Sequence, residues 1–196
     1  TNKMLKINIK KYFIMKKIII IGAGAMGSAF AVPCLENKNE VTLVGTHLED
    51  ELINNIQLNN NFHPALNIEL PSNLKVEKYD KLKSILEGGI DIIVAGVSSV
   101  GIEWFVKQIT KSYKKNTPII LLTKGLAIEE NELITLSDKI KKLLKDQGHT
   151  DVNISAIKGP CLAAGLAYKM RTGTVIANPD IKETEKLKKI ISTNYY

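Results

Sequence analysis

Three glycines, Gly22, Gly24 and Gly27, stand in "IGAGAMG" with G-x-G-x-x-G spacing. That spacing suits the close approach of backbone to a phosphate. The first glycine makes a tight turn, the second lets the chain reach a pyrophosphate, and the third lets a helix pack against a strand. The helix that follows offers free N–H groups and a partial positive charge. Two further groups could act beside such a ligand. Lys124, in "LLTKG", follows an apolar run. It can pair with a phosphate, or hydrogen-bond a carbonyl oxygen that gains negative charge as hydride arrives. In "KGPCLAAG", Gly159 precedes a predicted helix that starts at Pro160, which makes a second place for an anion or cofactor. Cys161 has no histidine near it in sequence and reads as a small side chain beside a ligand, not a thiolate nucleophile.

These residues need elements that bring them to one edge. "KKIIII" is a β-branched run fit for a strand buried on both faces. Residues 25–38 are helix-like, with Pro33 an anomaly because an interior proline removes a hydrogen bond. Further strands are predicted at "EVTLVG", "LKVEKY", "DIIVAGV", "TPIILLT", "VNISAI" and "TGTVIA". Helices are predicted between them. One of these is "NELITLSDKIKKLLKDQ", where Leu133, Leu136, Ile140 and Leu144 recur at helical spacing. Residues 59–72 read as a long loop, which inside a compact domain is usually functional or mobile. Alternating strands and helices predict an α/β fold: a doubly wound, mostly parallel sheet with helices on both faces, Rossmann-like, over residues 15–196. Such sheets bind ligands outside the carboxyl ends of their strands.

Charge and composition narrow the function. The net charge of +7 invites a nucleic-acid reading, but residues 1–17 hold six lysines and no acid. Beyond them 21 basic side chains face 20 acidic ones, so no basic face spreads over the body and nucleic acid is not an expected partner. Residues 1–14 are a basic extension before Met15, read as upstream or appended sequence in preference to a basic arm. No apolar run reaches the ~18 residues that span a bilayer. "KKIIIIGAGAMGSAFAVP" also has the outline of a secretory signal, but its glycines are placed for a turn and it runs straight into a folding pattern. Cys34 and Cys161 lie far apart without metal-type spacing, so a reduced, cytoplasmic protein with no metal is expected. An NAD cofactor is usually met by an acid at the end of the second strand. Here that strand ends Val44-Gly45-Thr46-His47, and Glu49 to Glu51 are assigned to the next helix. Thr46 could bond either ribose form, and NAD versus NADP stays open.

Taken in order, "GAGAMGSAFAVP", "FHPALNIELP", "DIIVAGVSS", "LLTKGL" and "KGPCLAAGLA" resemble the N-terminal domain of the NAD(P)-dependent glycerol-3-phosphate dehydrogenases over about residues 15–196. The resemblance implies interconversion of dihydroxyacetone phosphate and sn-glycerol 3-phosphate for phospholipid synthesis, with NADP or NAD as cofactor. By position it implies that Gly22, Gly24, Ala25, Met26, Gly27, Thr46, Lys124 and Ala163 meet the cofactor. Lys124, Gly159 and Cys161 would meet the substrate. Two positions depart from the family: Cys161 where Ser is usual, and Gly165 where Glu is usual. The resemblance also implies a helical C-terminal domain, beyond Tyr196, that supplies a general acid/base lysine. The fragment by itself is therefore expected to be inactive, with no catalytic residue assigned within it. A homodimer is left open for the full-length protein. A ketopantoate reductase or 3-hydroxyacid dehydrogenase is the alternative enzyme, and a non-catalytic dinucleotide-binding or redox-sensing module is the alternative from another class.

Overall fold

The structure, a computed structural model, describes residues 15–196, and the basic extension 1–14 lies outside the described residues. The first half runs β1 (Lys17–Ile21), α1 (Ala25–Glu36), β2 (Glu40–Val44), α2 (Asp50–Leu58), β3 (Phe62–His63), β4 (Ile68–Glu69), β5 (Lys75–Glu77), α3 (Leu82–Glu87), β6 (Ile92–Ala95) and α4 (Ile102–Ile109). The second half runs β7 (Ile119–Leu121), β8 (Leu126–Glu129), β9 (Glu132–Thr135), α5 (Leu136–Asp146), β10 (Ile154–Lys158), α6 (Ala163–Ala167), β11 (Val175–Ala177) and α7 (Ile181–Ile191). Seven strands make one sheet in the order β11-β10-β7-β6-β1-β2-β5. Every neighbouring pair is parallel except β10 and β11, so the doubly wound, mostly parallel sheet is as expected.

The isoleucine run of β1 explains why the sheet is covered twice. Ile18 and Ile20 pack on one face with Phe30 of α1 and Ile53 of α2. Ile19 and Ile21 pack on the other with Phe105 of α4 and Ile140 of α5. All four are buried, and each such burial stabilises by roughly 1.5–3 kcal/mol. α1 runs through Pro33, and nearly all of its length from Gly27 to Leu35 is buried.

Three segments differ from the sequence expectation. Residues 59–72 are not a bare loop. They carry the β3–β4 hairpin, whose register pairs His63 with Ile68 and buries His63 completely. Leu133 does not belong to the amphipathic helix. β8 and β9 form a hairpin that turns at Glu130 and Asn131, both with positive φ, and Leu133 is exposed on it. α5 starts at Leu136, where the Thr135 side chain accepts the Asp138 N–H and caps the helix. Pro160 is not the first residue of a helix. Gly159 turns at φ +129° and Leu162 is extended, so α6 covers only Ala163–Ala167.

The Thr135 cap gives a direct check. Thr135→Ala should cost about 1 kcal/mol, seen as a lower urea midpoint at unchanged slope. If the helix instead ran back through Leu133, alanine at 135 would be neutral or stabilising.

Candidate functional site

β1 lies between β6 and β2, at the point where the strand order reverses, and ligands of open parallel sheets settle outside the carboxyl ends there. Gly22 turns the chain at this point with φ +109°. Its N–H donates to the Val44 carbonyl at 2.8 Å. A Cβ on Gly22 would lie 2.7 Å from the Gly96 carbonyl carbon, and one on Gly27 would lie 2.2 Å from the Gly22 oxygen. The protein's own packing therefore demands both glycines.

Gly24 is different. Its φ of −61° and ψ of 170° suit any residue. The nearest atom to an added Cβ is Glu49 Oε1 at 3.9 Å. Packing within the chain gives no reason for a glycine here, whereas a bulky anion laid against the backbone does. α1 begins at the next residue, with no side-chain cap and no acid in its first turn. The leading N–H groups, at Ala25, Met26 and Gly27, lack intrahelical acceptors. The turn thus fits the pyrophosphate of a dinucleotide.

The turn is held by side chains that sequence reasoning missed. Ala23 is fully buried. Its N–H donates to Glu49 Oε2 at 3.0 Å. Its carbonyl accepts from Ser28 Oγ and from His63 Nε2, both at 2.9 Å. The Leu66 N–H donates to His63 Nδ1 at 3.3 Å, so the ring carries its proton on Nε2. Glu49 Oε2 also accepts the Thr46 N–H at 2.7 Å. Sequence spacing assigns Glu49 to the following helix. It precedes α2 and turns back toward the glycines, because a carboxylate there satisfies two buried-side amides at once. For His63 the available signals are its place inside an unusually long connection and within "FHPALNIELP".

The second half of the sheet supplies the other groups. Lys124 follows β7, and its Nζ donates to the Gly159 carbonyl, beyond β10, at 3.2 Å. Lys158, at the end of β10, donates in return to the Thr123 carbonyl. Burial, and then the charge of Lys124, lower the pKa of Lys158 below the usual lysine value. A cleft of about 420 Å³ is lined by Met26, Ser98, Thr123, Lys124, Cys161 and Ala163. The structure thus brings Met26, Lys124, Cys161 and Ala163 together, with Gly159 held against Lys124. Thr46 stands apart at the end of β2, linked to the glycine turn through Glu49. Cys161 is buried, and its Sγ lies 3.9 Å from the Leu162 carbonyl oxygen. At Gly165 nothing lies within 4 Å of an added Cβ, so packing does not impose that glycine. A larger cavity of about 770 Å³, lined by Lys16, Asp91, Pro118, Asn153 and Asp180, opens at the opposite, amino ends of the strands. The carboxyl-edge cleft is the one the fold favours for a ligand. Among the described residues no cluster of His, Cys, Asp or Glu could hold a metal ion, and no helix is long and apolar enough to cross a membrane.

The match to the family described as NAD-dependent glycerol-3-phosphate dehydrogenase N-terminus covers residues 17–184. The chain belongs to that family. It is 32% identical over 179 residues to the NADP(+)-dependent glycerol-3-phosphate dehydrogenase of Archaeoglobus fulgidus, covering 91% of this chain and 51% of the relative. It is 31% identical over 184 residues to the glycerol-3-phosphate dehydrogenase [NAD(P)+] of Mesoplasma florum, covering 92% and 52%. The crystal structure of the glycerol-3-phosphate dehydrogenase of Coxiella burnetii has the same fold, with a TM-score of 0.78 at 22% identity, covering 92% of this chain and 52% of that one. The chain spans about half the length of the curated relatives it matches.

The Ala23 linkage predicts a stability effect. Glu49→Ala leaves two backbone N–H groups without their acceptor, and a buried unsatisfied donor costs about 1–3 kcal/mol. Denaturant unfolding should register a loss of that size, and the Ala23 amide should exchange faster with solvent. An unchanged midpoint would sink the assigned role of Glu49.

Proposed function

We propose that this chain is the cofactor-binding part of an NAD(P)-dependent glycerol-3-phosphate dehydrogenase, interconverting dihydroxyacetone phosphate and sn-glycerol 3-phosphate in the course of phospholipid synthesis. One observation carries the reading: Gly24 is a glycine that the chain's own packing does not require, and it opens the helix whose Met26 lines the same cleft as Lys124. The family match supports this substrate over the keto acids of a ketopantoate reductase or 3-hydroxyacid dehydrogenase.

In this reading Gly22, Gly24 and the first N–H groups of α1 hold the pyrophosphate. Met26 and Ala163 border the nicotinamide end, and Thr46 lies at the adenosine end. The nicotinamide, when bound, supplies or accepts the hydride. Lys124 sets an ammonium group at the cleft, where it stabilises a ketone oxygen that takes on charge or pairs with the substrate phosphate. The Gly159 carbonyl holds that lysine in place, and Cys161 closes the cleft wall beside it. The new alkoxide needs a proton from a positioned group. We assign that group to a lysine outside this chain, in the part of the relatives that it does not cover. Two free, buried thiols support a cytoplasmic setting.

Two measurements test the reading. The purified chain should bind NADH or NADPH by calorimetry yet turn over dihydroxyacetone phosphate negligibly. Rapid turnover by the chain alone would overturn the division of labour. Gly24→Ala should leave the melting temperature unchanged and weaken NADH binding by at least about tenfold, the equivalent of roughly 1.4 kcal/mol. Equal affinity in that variant contradicts the placement of the pyrophosphate.

A further inference from the structure

Two lysines are set against each other at the carboxyl edge, and the family likeness gives a role to Lys124 alone. β7 and β10 run side by side with Leu121 opposite Ala156. The same register, carried two and three residues further, sets Thr123 against Lys158 and Lys124 against Gly159. Each lysine crosses to the backbone opposite. Lys158 Nζ donates to the Thr123 carbonyl, and Lys124 Nζ donates to the Gly159 carbonyl at 3.2 Å. Tying two connections together needs a donor, not a charge, and a glutamine amide donates to a carbonyl without repelling its neighbour. An ammonium group has three N–H donors, so two on each lysine are left after the carbonyl contact. No acid offsets the two charges. The cleft of about 420 Å³ that Lys124 lines has no Asp or Glu in its wall. Nor has the small cavity of about 10 Å³ that Lys124, Lys158, Gly159 and Cys161 line beside it. The two spaces share Met26, Leu122, Lys124 and Cys161. Lys158 is half-buried. Burial first, and then the charge of Lys124, hold its pKa below the usual lysine value, so the pair stands together against desolvation and repulsion.

We propose that Lys124 and Lys158 together hold the phosphate monoester of the substrate, with Lys158 as its second cation. The proposal rests on the substrate reading given above. It also decides between the two roles left open there for Lys124, which meets the phosphate and not the ketone oxygen. A ketone oxygen takes on a single developing charge, and one positioned donor answers it. A phosphate monoester carries about two negative charges and three strong acceptor oxygens near neutral pH. Two ammonium groups on neighbouring strands, each with donors to spare and no acid between them, match it in charge and in number of contacts. Hydrogen bonds between ionised partners are the strong ones. The bound dianion sets the repulsion of the two lysines against an attraction that each of them feels. Lys158 thereby acts on specificity, because a hydroxyketone without a phosphate gains nothing from a second cation.

Brief acylation of the purified chain, read residue by residue by mass spectrometry, shows which amines an anion covers. Saturating inorganic phosphate and saturating sn-glycerol 3-phosphate should each slow the acylation of Lys124 and Lys158 by about tenfold. Glycerol should slow neither, and the exposed lysines of α7 should react alike throughout. In Lys158→Met, about tenfold more sn-glycerol 3-phosphate should be needed to protect Lys124. Lys158→Arg keeps the charge and should restore most of the protection. Should the Met variant fail to fold, the parent protection and the Arg variant decide. The two-lysine site is overturned if these anions protect Lys124 alone or neither lysine, or if the folded Met variant is protected as the parent is. Protection of both lysines by inorganic phosphate but not by sn-glycerol 3-phosphate would instead overturn the substrate reading on which the assignment rests.

Discussion

The peptide unit of Ala23 is the point on which the site depends. Glu49 takes its N–H, and Ser28 and His63 share its carbonyl. The three side chains come from the start of α2, from α1 and from the β3–β4 hairpin. A buried amide without partners is costly, so each of these elements is fixed relative to the others by the need to satisfy one residue. The result is a glycine turn that is already ordered. A ligand that meets an ordered loop does not spend its binding energy on ordering it. The glycines permit the turn, but the clamp on Ala23 holds it in one place.

A second linkage does the same work across the sheet. Lys124 reaches from the end of β7 to the carbonyl of Gly159, and Lys158 reaches from the end of β10 to the carbonyl of Thr123. The two crossing contacts tie neighbouring connections together. They also set two ammonium groups at one edge, and among the described residues neither lysine is in a salt bridge. The lowered pKa of Lys158 reflects first its burial and then this neighbour. Unpaired positive charge that burial penalises is unfavourable for stability alone.

The parts of this structure that sequence reveals are those set by local physics. Four isoleucines in a row give a strand buried on both faces, and glycines at fixed spacing after it give the turn. Alternation of strands with helices then gives the mostly parallel sheet, while the order of its strands comes from the structure. Contacts between distant segments are not visible in this way. Glu49 is 26 residues from Ala23 and His63 is 40 residues away. Neither spacing has a period, and each depends on where a hairpin or a helix start comes to rest. The assignment of Leu133 to α5 fails for a related reason. The hairpin strand β9 runs directly into the helix, and Leu133 and Leu136 happen to stand three apart. The signal that separates them is the pair Glu130-Asn131, a left-handed turn that helical periodicity overlooks.

Stability accounts for most residues at the carboxyl edge, and this makes the exceptions informative. Gly22 and Gly27 are glycines because backbone lies where a Cβ would be. Ser28, Glu49 and His63 are polar because Ala23 needs partners. Gly24 has neither excuse: serine or aspartate would cap α1 better, and only Glu49 Oε1, at 3.9 Å, comes near the place of its Cβ. Lys124 is exposed yet drawn across to another connection, and His47 is an exposed ring laid on two others. These residues lie along one edge, from the end of β2 past the glycine turn to the end of β7. An anion laid against Gly24 and reaching toward Lys124 would account for these two together. No separate explanation for each is then needed.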